Sequence, residues 1–145
     1  MAVSEGLARL NIPKTGNVSK KMGVFYNPAM RLNRGVSILL LRSINKKNMQ
    51  IADPLAASGV RSVRFLMELG KDKIKKICIN DLDKNAVKSI KENLALNKIQ
   101  YKNNKKIIIK NHDANLFLLN SAGFDYIDID PFGKPNPYLD SACKR

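Results

Sequence analysis

The sequence predicts an α/β fold built on a parallel sheet, and two observations carry that prediction. Short apolar, strand-like runs alternate with segments of helical periodicity, the order that βαβ units produce. Acidic residues then fall at the ends of the first three runs: Asp53, Asp81 and Asp113. Open α/β sheets bind ligands beyond the carboxyl ends of their strands, so this placement speaks to fold and function together.

The elements follow in order. Residues before Asn27 read as irregular or short-stranded, with Pro13 and Gly16 breaking any long element. Over residues 29–44 the apolar positions Leu32, Val36, Leu39 and Leu40 recur at helical spacing. A first strand fits residues 49–53 and ends at Pro54. Residues 54–59 form a loop of small residues, and residues 60–69 read as a helix stopped by Gly70. Residues 74–80 make a second strand. Asp83 is a candidate cap for a helix that sets Val87, Ile90 and Leu94 on one face. A third, strongly β-branched strand covers residues 106–110, followed by a polar turn and a short helix around residues 116–119. Residues 124–129 form a fourth strand, which ends in Asp130-Pro131-Phe132-Gly133.

Right-handed crossovers on such a sheet give the strand order 3-2-1-4, with the fourth strand at an edge. Phe124, Tyr126, Ile127 and Ile129 make that strand apolar on both faces, the pattern of an interior strand. A neighbour on its open side is therefore expected, and without one the chain should self-associate.

At 145 residues the chain is one domain by length. Its 44% hydrophobic content, without a low-complexity tract or internal repeat, fits a folded core rather than a disordered segment. No apolar run approaches the roughly 18 residues of a membrane span, and the N-terminus has no signal-peptide core. Cys78 and Cys143 have no metal-ligand spacing, so no metal site is expected. Cys78 lies in an apolar stretch and reads as a buried thiol, which suits a reducing cytoplasm. Twenty-six Lys and Arg against twelve Asp and Glu give a formal net charge of +14. A field of that sign favours polyanionic partners such as nucleic acid; solubility alone is the plainer reading.

A carboxylate after the second strand can accept both hydroxyls of a ribose, and one after the third can accept an adenine amine. The loop Leu55-Ala56-Ala57-Ser58-Gly59 would let a cofactor approach the backbone. Asp81 as a helix cap and Asp113 as a turn residue are the structural alternatives. A dinucleotide fingerprint would need three glycines opening the first helix, and only Gly59 is present. A cofactor without a pyrophosphate fits better, which points to S-adenosylmethionine. Asp130-Pro131-Phe132-Gly133 is like the motif of amino-group methyltransferases. The lone pair of a guanine amine is delocalised into its ring. A carboxylate and a fixed carbonyl accepting the amine hydrogens favour the pyramidal, attacking nitrogen. Proline fixes that carbonyl, and an aromatic ring stacks on the base. The alternative is an Asp-Pro turn with Phe132 in the core. His112, the only histidine, reads as a turn or packing residue.

The whole set resembles the tRNA guanine-26 N2-dimethyltransferase family, in its archaeal form, and through it the class I (Rossmann-like) S-adenosylmethionine-dependent methyltransferases. The resemblance rests on Gly23-Val24-Phe25-Tyr26-Asn27-Pro28 with Met30, Asn33 and Arg34; residues 53–61; Asn80-Asp81; residues 111–115; and residues 128–133 with Pro135. It implies methyl transfer from S-adenosylmethionine to the N2 amine of guanosine 26 in tRNA, with the base flipped out to reach the methyl. It also implies that Arg34, Arg61, Asp81, Asp113 and Ala114 hold the cofactor, while Phe25, Asp130, Pro131 and Phe132 flank the target base. Forked Arg34 and Arg61 suit a carboxylate such as the methionine end.

Gly35 stands where the family usually has an acid, and Lys134 where it usually has a serine. The expected organisation is an N-terminal extension and first helix over residues 1–48 and an incomplete core over 49–145. The family's further strands and C-terminal domain are absent, so a complementing C-terminal polypeptide is an expected partner beside tRNA. The alternatives are a non-catalytic basic RNA-binding fragment and an amino methyltransferase acting on DNA adenine or protein side chains.

Overall fold

The structure, a computed structural model, describes residues 2–12 and 24–145. Pro13, Gly16 and Gly23 lie outside the described residues. The chain begins with an antiparallel hairpin of β1 (Ala2–Glu5) and β2 (Ala8–Asn11). A 3₁₀ turn over Pro28–Met30, capped by the Asn27 side chain, leads into α1 (Arg31–Ser43). The remainder runs β3 (Met49–Asp53), α2 (Val60–Glu68), β4 (Ile74–Asn80), α3 (Lys84–Leu96), β5 (Ile107–Lys110), α4 (Ala114–Leu119), β6 (Tyr126–Ile127) and α5 (Asn136–Cys143).

Strands β3 to β6 form one parallel sheet in the order β5-β4-β3-β6, which is the 3-2-1-4 order expected from the crossover rule. The chain steps outward through α2 and α3, then passes through α4 to the other side of β3. The strand order therefore reverses between β3 and β6. The larger core joins α1, α2 and α3 to one sheet face through Ile38, Leu41, Val63, Phe65, Ile90 and Leu94 against Ile51, Ile77 and Ile79. The opposite face packs Ala52 and Cys78 against Phe117 and Leu118 of α4, with Ile127, Ile129 and Ala142 beside them.

Three elements differ from the sequence expectation. The fourth strand is shorter, with two residues in β6, although Asp125 N–H to Gln50 O and Asp128 N–H to Ala52 O continue the pairing with β3. Its Ile127 and Ile129 are covered face-on by α4 and α5, and among the described residues no strand pairs with its other edge. Helix α5 was not expected at all. Its Pro137 sits in the first turn, where a missing N–H costs nothing. Third, α1 turns Arg34, Ile38 and Leu41 inward, while Leu32, Val36, Leu39 and Leu40 are exposed.

Buried Arg34 explains that rotation. Its Nε donates to Glu5 Oε1 at 2.7 Å and its Nη2 to Glu5 Oε2 at 2.5 Å. Glu5 is itself buried, and also accepts Arg64 Nη1 at 3.0 Å and the Tyr26 hydroxyl at 2.9 Å. Burial pushes the Glu5 carboxyl up, but Arg34, Tyr26 and Arg64 together hold it below its ordinary value. This cluster bolts the hairpin to α1 and α2. Asn93 ties it to α3 by accepting Asn11 N–H at 2.7 Å while donating to Ser58 O at 2.9 Å.

Candidate functional site

The point where strand order reverses is where an open α/β sheet leaves a crevice between diverging loops. Here it lies beyond the carboxyl end of β3, between the loop after β3 and the segment after β6. Gly59 caps α2 at φ 74°, and a Cβ there would meet Ile90 Cγ1 at 3.1 Å, so the tight turn into α2 requires glycine. Ala57 also adopts a left-handed conformation, φ 48°. Its N–H donates to Asp81 Oδ2 at 2.8 Å, and Asp83 N–H donates to Asp81 Oδ1 at 2.9 Å. Burial pushes the Asp81 carboxyl up, with these backbone donors opposing the rise.

Asn80, fully buried at the end of β4, joins three loops. Its Nδ2 donates to Pro54 O at 3.0 Å and His112 O at 2.9 Å, and its Oδ1 accepts His112 N–H at 3.0 Å. His112 is thus a turn residue held through its backbone. One strand over, Asp113 Oδ1 caps α4 by accepting Asn115 N–H at 2.9 Å and Leu116 N–H at 3.1 Å, and Ala114 is buried in the first turn. The acids after β4 and β5 therefore act as cap or turn residues as well as standing at strand ends.

A cleft of about 30 Å³ brings Phe25, Arg34, Arg61 and Asp130 together with Tyr26, Asp53 and residues 55–58. Asp81 reaches its wall through Ala57, whereas Asp113 and Ala114 do not line it. Arg34 keeps its Nη1 donors without a partner among the described residues, and its guanidinium carbon lies 5.1 Å from the Tyr26 ring centroid. Phe132 and Phe25 meet as an edge-to-face pair at the rim. Ser58 Oγ is buried and has no hydrogen-bond partner among the described residues.

Arg61, on the first turn of α2, is the most heavily engaged side chain of the site. Its Nη2 donates to Asp130 Oδ2 at 2.7 Å and Asn33 Oδ1 at 2.6 Å. Its Nη1 donates to Ser37 Oγ and Asp128 Oδ2, both at 3.3 Å. Nε lies 3.2 Å from Asp130 Oδ2 and from Asp128 Oδ1. Asp128 is buried and also accepts the Tyr126 hydroxyl at 3.0 Å. Behind them Asp53 accepts Ser62 Oγ at 2.7 Å. Burial and then the neighbouring Asp128 push the Asp53 carboxyl up to about 7.

Sequence reading named Tyr126 as an apolar strand residue and Asp128 as part of a motif, neither as a site residue. Their signal was present, since Tyr126, Asp128 and Asp130 alternate along one extended segment and so share a face. Glu5 carried no local signal. Its partners lie on α1 and α2, far away in sequence.

A parallel sheet ordered 3-2-1-4, with acids after its strands and a small-residue loop at the switch point, is the class I methyltransferase fold. Solved structures agree. Trm1 from Pyrococcus horikoshii, in complex with S-adenosyl-L-methionine, matches with a TM-score of 0.82 and 33% identity over 98% of this chain and 38% of that one. Trm5b from Pyrococcus abyssi shares the fold at a TM-score of 0.73 and 17% identity, over 99% of this chain and 36% of that one. The chain belongs to the family N2,N2-dimethylguanosine tRNA methyltransferase (TRM), whose model matches residues 6–145. The tRNA (guanine(26)-N(2))-dimethyltransferase of Methanobrevibacter smithii is 43% identical over 99% of this chain. The tRNA (guanine(26)-N(2)/guanine(27)-N(2))-dimethyltransferase of Aquifex aeolicus is 43% identical over 97% of it. The chain spans 37% and 36% of the length of these two relatives.

Proposed function

We propose that this chain carries the methyl-donor site and the base-binding rim of a tRNA guanine-N2 methyltransferase acting at guanosine 26. The observation that carries the reading is the position of Asp130, on the rim of the switch-point cleft and two residues before the Phe132 ring that packs on Phe25. Features of the cleft and its wall support an adenosyl amino acid as its ligand, which enters once a wall side chain moves. Arg34 has Nη1 donors without a partner among the described residues, Ser58 Oγ is a buried polar atom in want of a partner, and Asp81 adjoins the cleft wall through Ala57.

In this reading Arg34 and Arg61 hold the methionine carboxylate, Asp81 accepts the ribose hydroxyls, and Asp113 with Ala114 meets the adenine. S-adenosylmethionine would supply an electrophilic methyl group on its sulfonium sulfur, with S-adenosylhomocysteine as the leaving group. Phe25 and Phe132 flank the flipped guanine, and the Asp130 carboxylate with the Pro131 carbonyl accepts the hydrogens of the N2 amine. Asp130 takes the proton that N2 sheds as its new bond to carbon forms. The net charge of +14 draws tRNA to the surface. A further polypeptide, supplying the remaining part of the relatives' length, covers the exposed Leu32, Val36 and Leu39 of α1 and the open edge of β6. A cytoplasmic setting belongs to the same reading, supported by two free cysteines. Among the described residues no helix is long and apolar enough to cross a membrane.

The test incubates the chain, alone and with that polypeptide, with unmodified tRNA and methyl-labelled S-adenosylmethionine. Nucleoside mass spectrometry should find N2-methylated guanosine, and Asp130→Ala should abolish it. RNA binding without cofactor binding would instead point to a non-catalytic RNA-binding module.

A further inference from the structure

We propose that Arg61 is shared between the carboxylate of the methyl donor and Asp130, so that seating the donor releases Asp130 for the base. The inference rests on the donor site proposed above and adds a coupling between its two halves.

A guanidinium has five N–H donors. Those of Arg61 are all directed to Asp128, Asp130, Asn33 and Ser37. A ligand carboxylate can reach Arg61 only by displacing one of them. Space leads to the same conclusion, because a cleft of about 30 Å³ has room for only about one or two waters. Some side chain of the wall must move before an amino-acid group enters.

The partners are held unequally. Asp128 is 7% exposed, accepts the Tyr126 hydroxyl, and its own N–H is fixed to Ala52 O, so it is anchored to β3. Asp130 is 33% exposed, and its carboxylate has no other partner than Arg61 among the described residues. It is the partner that leaves at least cost. With Arg61 paired in this way, the candidate catalytic carboxylate is occupied by a guanidinium and is not presented to a base. A carboxylate entering the cleft takes its place on Arg61 and turns it free. Donor therefore binds before RNA base.

Calorimetry on the chain with two ligands tests this. S-adenosylhomocysteine carries the carboxylate, and 5′-methylthioadenosine lacks the amino-acid part. Asp130→Asn and Asp130→Ala remove the competing charge, so both should bind S-adenosylhomocysteine about two- to fivefold tighter than the wild type, the upper range of a partly exposed ion pair. Both should bind 5′-methylthioadenosine unchanged. Unchanged or weaker S-adenosylhomocysteine binding in folded variants overturns the sharing. Equal tightening for both ligands overturns it too, since that is a general effect of charge. If the wild type binds neither ligand, the donor-site reading itself falls and takes this inference with it.

Discussion

The rings of Phe25 and Phe132 meet edge to face, with centroids 4.9 Å apart and planes at 88°. One ring comes from the segment before α1 and the other from the turn after β6, so the pair closes the rim of the cleft from both sides. In the proposed reading a base entering there parts them and stacks on at least one. Stacking on an aromatic ring is worth about 1–3 kcal/mol per base. Phe25→Ala and Phe132→Ala should each lower the single-turnover rate at sub-saturating tRNA by about five- to 150-fold. S-adenosylhomocysteine affinity should stay within twofold or so, as the rings belong to the base side. Equal losses in both measurements would show the rings to be structural supports.

Asp81 holds the loop after β3 through Ala57 N–H, and in the proposed reading it accepts the ribose hydroxyls. Asp81→Ala should weaken donor binding by about 1.5–3 kcal/mol, the range for hydrogen bonds to a charged group. Asp81→Asn keeps an acceptor for Ala57 but can offer only one to a pair of hydroxyls, and it should recover part of that loss. Calorimetry with S-adenosylhomocysteine checks both. Unchanged affinity in the alanine variant would remove Asp81 from the donor site and leave it a loop anchor.

Much of this fold was legible because its strands announce themselves locally. Ile74 to Asn80 and Ile107 to Lys110 are β-branched runs with polar turns around them, and crossover handedness then orders the sheet. Asp83 and Asp113 are caps that sequence can propose and geometry accepts. What escaped depends on contacts between distant segments. No local pattern says that Arg34 turns inward, because the reason is Glu5 in the hairpin. Arg61 and Arg64 stay buried in α2 because acids from β1, from the segment after β6 and from α2 itself meet them. Helix α5 was hidden by Pro135 and Pro137, which read as a turn until their place at a helix start is known.

Glu5 lies between two buried arginines, and removing it would leave Arg34 without a counter-charge and Arg64 with Glu68 alone. Glu5→Ala should therefore destabilise the chain by about 3–5 kcal/mol, as when one partner of a buried ion pair is lost. Because the folded carboxyl sits below its ordinary value, its stabilising contribution is complete above the usual carboxylate range. It is lost as pH falls through the folded value. Urea denaturation of wild type and variant at neutral and acid pH checks this. A variant as stable as the wild type at neutral pH would mean the hairpin is held by its apolar contacts alone.

Asp53 should give the opposite pH dependence. It is buried at the end of β3, and burial is the main cause lifting its carboxyl to about 7. Asp128 adds to the rise and Asp81 adds less, while the Ser62 hydroxyl and Arg61 pull the other way. In the unfolded chain the same group titrates near 3.8. The folded protein thus holds this proton more tightly than the unfolded one, and stability from this group is greatest below the unfolded value. It declines as pH rises from about 4 to about 7 and is fully lost above that. Asp53→Asn imitates the protonated form and keeps an oxygen to accept from Ser62. It should match the wild type near pH 4 and exceed it at pH 8 by on the order of 4 kcal/mol. The measurement is the difference in unfolding free energy between the two proteins across that range, which cancels the acid-side loss from Glu5 common to both. A difference that stays constant from pH 4 to pH 8 would show that Asp53 is ionised throughout, with Arg61 rather than a proton balancing its charge.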